Sequence, residues 1–182
     1  MCGSDAGVFS YEGGYEWIQV PRTIGHEYSG LVVDVGKEVT EFEVDQKAVK
    51  EPIHDCDHCF QCKNRQENIC QNFSITVMHS DGDYAKYTTV AERYHAVPES
   101  VPLREASIAE PTSIATCAVL DLPRLTSDDN VLVEVSGPIV VLTAIVANSV
   151  GANVVVSGSQ KGDYLGSYIE EAGRSPEYVK YS

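Results

Sequence analysis

Four cysteines crowd one short loop: Cys56, Cys59 and Cys62 are each separated by two residues, and Cys70 follows after seven more. If these thiols act together, the C-x2-C-x2-C-x7-C stretch must fold back on itself, and one loop then brings four sulfurs around a single ion. Two disulfides would instead require an oxidising compartment. The opening MCGSDAGVF lacks the basic and apolar pattern of a secretory leader, so reduced thiols and a cytoplasmic setting are expected. Four sulfurs at tetrahedral reach suit zinc, which in structural sites is closed by four protein ligands and orders a loop too polar to pack by itself. An iron–sulfur cluster is the rival, although its familiar bacterial run closes with three residues and a Cys-Pro, whereas Gln71 follows Cys70 here. Regulatory thiols are the third reading. His54 and His58 lie beside the run and are not needed as ligands.

The remainder of the chain bounds what such a loop can serve. With 182 residues it can bury the core of one domain, or of one and a part. A formal net charge of −14 argues against nucleic acid and against an anionic membrane as partners, because both are bound through clustered Lys and Arg. The longest apolar run, around 138–150, is broken by Thr143, Asn148 and Ser149 and falls short of a spanning helix. Up to about residue 120, short β-branched runs at 31–35 and 87–90, punctuated by turns such as Asp81-Gly82-Asp83, predict mostly β structure. A boundary is expected between 120 and 130. Beyond it, 131–135 reads as a buried strand, Pro138 suits the first position of a helix over 139–150, and Gly151 ends that helix. A second strand over 153–156 and a second helix over 163–172, closed by Gly173, complete the start of a βαβ unit.

A second constellation is Gly25-His26-Glu27, with Cys2 standing 24 residues before His26 and Glu110-Pro111 opening a segment downstream. Cys, His and carboxylate ligands of this kind could converge on a second metal and leave one position open, as a catalytic zinc requires. Five stretches then occur in a telling order: CGSD, the GHE of GHEYSGLVVDVGKEVTEFEVDQKAV, the four-cysteine loop, DGDYAKYTTVAERYHAVPESV, and the EP of IAEPTSIATCAV. In that order and at about that spacing the chain resembles, over essentially its whole length, the zinc-dependent medium-chain dehydrogenases, most closely their sorbitol, threonine and sugar-acid dehydrogenase branch.

The resemblance implies a mixed β and α/β fold. A GroES-like β-barrel catalytic domain would cover 1–121 and carry two zinc sites, and the first part of a Rossmann, doubly wound domain would cover 122–182 and bind NAD or NADP. It implies Cys2, His26 and Glu27 as ligands of the catalytic zinc, with Glu110 beside that metal, either coordinating it or holding its water. Ser4 matches the hydroxyl of the proton relay. Cys56, Cys59, Cys62 and Cys70 match the structural zinc. The implied reaction moves a hydride from a secondary alcohol, such as a polyol, sugar acid or hydroxy amino acid, to NAD(P), with zinc lowering the pKa of the bound hydroxyl. Small-molecule alcohols are the implied partners, and since such relatives are commonly dimers or tetramers, a homo-oligomer is expected.

Several positions depart from that pattern. The dinucleotide fingerprint G-x-G-x-x-G retains only its middle glycine, Gly137, with β-branched Val135 and Val140 at the outer two positions. Ser136, Gly137, Pro138 and Ile139 are nevertheless the expected cofactor contacts, joined by Gly158 at the end of the second strand. Ser157-Gly158-Ser159 offers no acid for the adenosine ribose, and Lys161 is a candidate for the phosphate of NADP. Gly7 stands where the relay often has a His. The chain also covers about half the family's usual length, starting close to Cys2 and ending after two expected Rossmann strands. A second expectation follows: a truncated or decayed relative, a zinc-binding domain without catalytic turnover. Tyr11, Tyr15 and Trp17 are candidates to line a substrate cleft, and Cys117 is expected to be a buried small hydrophobe.

Overall fold

A helix, not a strand, opens the chain. The computed structural model describes residues 1–11, 13–92, 95–96, 98–134, 137–158 and 177–180, and these divide into two compact units, Met1–Glu110 and Pro111–Ser182. Helix α1, Gly3–Ser10, contains Gly3 and Gly7, which lower its intrinsic propensity. It forms because Asp5, in its first turn, reaches back with Oδ2 to accept the Cys2 N–H at 3.0 Å, the acidic half of a capping box. Val8, one turn on, packs with Ile18 and Val77 in a small core ringed by Tyr15, Ile24 and Met78. Tyr11 ends the helix in the left-handed conformation, φ 57°.

The strands of this first unit are shorter than the β-branched runs predict. Strand β1, Ser29–Leu31, pairs antiparallel with β2, Lys47–Lys50, which pairs in turn with β5, His95–Ala96. Strands β3, Ile53–His54, and β4, Ser74–Ile75, form a separate two-stranded ribbon. Beyond Leu31 the pairing lasts one residue further, through Val32 and Gln46, and then stops. The reason is local: the Val35 N–H is taken by the Asp34 carboxylate at 2.9 Å, a side-chain bond that competes with a ladder, and Val33 is 61% exposed. Residues 87–90 likewise lie outside the sheet. A groove of about 740 Å³ runs between 28–36 and 85–92, with Leu31, Val33, Val35, Phe42 and Tyr87 along it.

One close contact in this unit positions the site. Gly82, Asp83 and Tyr84 donate their peptide N–H groups to the carbonyls of Thr23, Gly25 and Ile24 at 2.7, 2.8 and 2.9 Å. Neither chain has room for a side chain between them. A Cβ on Gly82 would come within 2.6 Å of the Gly25 carbonyl oxygen, and one on Gly25, whose φ is +97°, would fall inside the Tyr84 ring.

After two short helices, α2, Phe60–Lys63, and α3, Leu103–Ala106, the second unit begins within α4, Ala109–Thr116, which continues into a π-helical turn, Cys117–Asp121. Val119 of that turn belongs to the second core, and Leu120 packs against it. Ala115 and Val119, four apart, are buried, so Cys117 between them is exposed, contrary to expectation. Strand β6, Asn130–Glu134, leads into α5, Pro138–Ser149, and β7, Asn153–Gly158. Pro138 at the first helical position fixes φ where no N–H is needed. Gly151, at φ +90°, returns its N–H to Asn148 as the helix ends. Ala144 and Ala147 are fully buried on α5 and let the helix approach Val133, Val154 and Val156 closely. A third parallel strand, β8, Glu177–Lys180, adds to β7, where the sequence predicts two. The expected helix over 163–172 lies outside the described residues. Leu132, on the opposite side of β6 from Val133, is 62% exposed, although parallel sheets usually bury both faces. Among the described residues no helix is long and apolar enough to cross a membrane.

Candidate functional site

The folding of α1 against residues 23–27 brings one ligand atom each of Cys2, His26 and Glu27 within 4.8 Å of one another. Asp5 stands between Cys2 and His26. It is fully buried, its Oδ2 holds the Cys2 N–H, and its Oδ1 accepts the Gly25 N–H at 2.9 Å. His26 Nδ1 lies 3.3 Å from that same Oδ1. The ring N–H is not aligned for a hydrogen bond at this distance, and the buried Nδ1 has no other partner. Here the alignment decides, and Asp5 faces the ring without completing a bond. A histidine that coordinates a metal through one ring nitrogen characteristically presents the other to a carboxylate, and Asp5 stands where that partner belongs. One thiol, one imidazole and one carboxylate around a half-open site fit a zinc ion with a vacant position. Glu27 Oε2 also lies 2.6 Å from the Met1 amino group, whose pKa that carboxylate raises.

Glu110, expected beside the metal, is in the first turn of α4 and is not among the three ligand atoms that come together. Burial pushes its carboxyl pKa up, the His26 charge pulls it down, and Glu27 and Asp5 raise it further. It therefore shares the electrostatic surroundings of the cluster. Ser4 is half-buried on α1. Trp17 is exposed and tilts against the His79 ring, with centroids 5.7 Å apart, while Tyr15 packs into the small core instead of standing free. Sequence reasoning missed Asp5. The signal was present in CGSD, where an acid three residues after a helix-capping position is the mark of a capping box.

The second cluster gathers Cys56, Cys59, Cys62 and Cys70, whose sulfurs also lie within 4.8 Å of one another. Cys62 sits in the short helix α2, Phe60–Lys63, and Cys70 follows a 3-10 turn, Glu67–Ile69. Asp57 and Arg65 take positive φ, 64° and 58°, which folds the loop over its own sulfurs. Sγ–Sγ separations of 3.4 Å for Cys59–Cys62 and 3.9 Å for Cys56–Cys62 and Cys59–Cys70 bracket the ~3.8 Å edge of a tetrahedron with zinc–sulfur bonds of about 2.3 Å. Peptide N–H groups of Cys56 and Asn72 both point at Cys70 Sγ, at 3.3 Å. Backbone donors from Cys62 and Gln71 bring the Cys59 thiol down to about 6, whereas burial pushes the Cys62 thiol up. This donor set fits a closed, structural zinc.

In the second unit, Gly137 precedes α5 with φ +150°, and a Cβ there would meet nothing within 4 Å. The turn at the helix N-terminus is therefore open, with Pro138 and Ile139 in the first turn. Val140 occupies the third glycine position of the fingerprint, and its side chain is absorbed against the core of Val133, Val154 and Val156. Gly158 is the last residue of β7. Ser136, Ser159 and Lys161 lie outside the described residues.

Comparison with known proteins places these features in one family. The profile of the Alcohol dehydrogenase GroES-like domain matches residues 1–100. The chain is 34% identical over 175 residues to 2-dehydro-3-deoxy-L-galactonate 5-dehydrogenase of Pseudoalteromonas atlantica, covering 95% of this chain and 50% of that protein. It is also 34% identical over 160 residues to sorbitol dehydrogenase of Halalkalibacterium halodurans, covering 87% of this chain and 46% of that one. Among solved structures, an NAD-dependent alcohol dehydrogenase superposes with a TM-score of 0.87 at 25% identity, covering 100% of this chain and 52% of that one. The chain thus spans about half the length of the curated relatives it matches. It belongs to the medium-chain dehydrogenase/reductase family of alcohol dehydrogenases, through their GroES-like domain.

Proposed function

We propose that this chain carries the metal-binding part of a zinc-dependent oxidoreductase that transfers a hydride from a secondary alcohol, such as a polyol, sugar acid or hydroxy amino acid, to NAD(P). The observation that carries this reading is the convergence of Cys2, His26 and Glu27 around a buried Asp5. These three residues would hold the ion, and a zinc bound there supplies a Lewis acid that lowers the pKa of an alcohol hydroxyl. Asp5, which holds the Cys2 and Gly25 N–H groups, would take the His26 ring N–H once the metal holds the other ring nitrogen. Ser4 would pass the hydroxyl proton outward, and Glu110, held protonated to higher pH by burial, would stabilise the water or hydroxyl beside the site. Cys56, Cys59, Cys62 and Cys70 would close a second, structural zinc. The finer architecture belongs to the same proposal: a GroES-like barrel over 1–121 and the start of a Rossmann domain over 122–182. There, Gly137, Pro138 and Ile139 at the α5 N-terminus, with Ser136, the preceding residue in sequence, and Gly158, would receive the cofactor pyrophosphate and ribose. A cytoplasmic setting and homo-oligomer formation complete it.

The test is cofactor binding and turnover by the zinc-loaded protein. Binding of NAD or NADP at millimolar nucleotide, and chelator-sensitive formation of the reduced nicotinamide with a polyol or hydroxy acid, are expected. No nucleotide binding at that concentration would overturn the oxidoreductase reading for this chain and leave a zinc-binding domain without turnover.

A further inference from the structure

Lys50 closes strand β2 with its side chain only 4% exposed, and its Nζ lies 3.1 Å from both carboxylate oxygens of Asp83, which is itself fully buried. Thr88 Oγ1 adds a hydrogen bond to Asp83 Oδ1 at 2.6 Å. A buried ion pair seldom stabilises a fold more than apolar residues of the same volume would, because both charges lose their water. Bulk stability is therefore a weak reason for this pair, and its position supplies a better one.

The Asp83 peptide N–H donates to the Gly25 carbonyl at 2.8 Å, in the middle of the contact between 82–84 and 23–25. From the other side, Asp5 Oδ1 accepts the Gly25 N–H. Both polar groups of the Gly25 backbone are thus held, and the residue holding the carbonyl is the one whose carboxylate Lys50 clamps. His26 and Glu27 come next in the chain. We propose that Lys50 and Asp83 are positioning residues for the metal centre of Cys2, His26 and Glu27: the buried pair locks 82–84 onto 23–25 and so sets the two ligands that follow. The inference rests on the metal reading of the preceding section.

Two variants test it, Lys50→Met and the doubly apolar Lys50→Met/Asp83→Leu. Zinc affinity is read by competition with a chromophoric chelator, with Cys2→Ser and Cys59→Ser assigning the two bound ions, and thermal midpoints are read in parallel. Loss of a group that orients a metal ligand typically weakens binding about 10- to 100-fold. Lys50→Met should show that loss at the three-ligand site alone, with the four-cysteine affinity unchanged. In the double variant the unpaired charge is gone, so the midpoint should recover while the three-ligand affinity stays low. If Lys50→Met does not fold, the double variant carries the test. Recovery of affinity together with stability would make the pair merely structural and overturn the proposal, as would unchanged affinity in either folded variant. A wild-type protein that takes no ion at Cys2, His26 and Glu27 overturns the metal reading first and this inference with it.

Discussion

Replacing Gly25 by alanine probes the closest contact beneath the metal centre. Two costs are separable. A non-glycine residue at φ +97° carries backbone strain on the order of 1–3 kcal/mol. The new Cβ also overlaps the Tyr84 ring, and forcing that ring aside is an overpacking cost of about 1–3 kcal/mol. Together they amount to about 2–6 kcal/mol, a large share of the roughly 5–15 kcal/mol that keeps a domain folded. Urea unfolding followed by circular dichroism measures the sum. The variants Tyr84→Ala and Gly25→Ala/Tyr84→Ala close a double-mutant cycle: with the ring gone, only the strain remains, so the cycle should return about 1–3 kcal/mol. Because His26 is the next residue, Gly25→Ala should lose zinc at Cys2, His26 and Glu27 before it loses the ion at the four cysteines. A stability change under about 0.5 kcal/mol, or no recovery when the ring is removed, would refute the steric argument.

Other perturbations have equally definite outcomes. Asp5→Ala leaves the buried Gly25 N–H and the part-buried Cys2 N–H without their acceptor and should cost about 1–3 kcal/mol for the first, with a smaller addition for the second, in chemical denaturation. Asp5→Asn, which keeps one acceptor oxygen, should cost less while still weakening metal retention. Chelation of zinc, or Cys59→Ser, should destabilise the first unit by about 4 kcal/mol when free zinc had been held at a thousandfold its dissociation constant, as read by a chelator-dependent fall in thermal midpoint. Asp129 accepts from the Thr126 N–H and Oγ1 at 2.7 and 2.9 Å, first the backbone bond and then the hydroxyl holding its carboxyl below the ordinary range. Its contribution to stability is therefore present above the ordinary Asp pKa and lost as pH falls through the lowered value. An NMR titration should place the Asp129 midpoint below that of an unperturbed Asp, and Thr126→Ala should move it upward.

What could be read in the sequence was whatever short spacing or local stereochemistry specifies. The four cysteines lie in one loop, so their spacing alone foretells the cluster. Pro138 and Gly151 bracket α5 because proline and glycine act on the backbone where they stand. Helix α1 was hidden by Gly3 and Gly7, and it depends on a carboxylate whose second partner is 20 residues away. The run at 31–35 has the composition of a strand, yet Asp34 satisfies its neighbour's N–H and ends the ladder early. Lys50 and Asp83 look like surface residues in a chain this acidic, and only the fold, joining positions 33 apart, buries them against each other. Cys117 stands in an apolar stretch, and only the four-residue spacing that turns Ala115 and Val119 inward leaves it on the exposed side.

Zinc per chain by elemental mass spectrometry, on the wild-type protein and on Cys2→Ser and Cys59→Ser, bears most directly on the two-site account. It predicts two ions in the wild type, with a different one lost in each variant. A single ion, lost only in Cys59→Ser, would contradict it, leaving the four-cysteine loop as a structural staple beside three ligands that bind nothing.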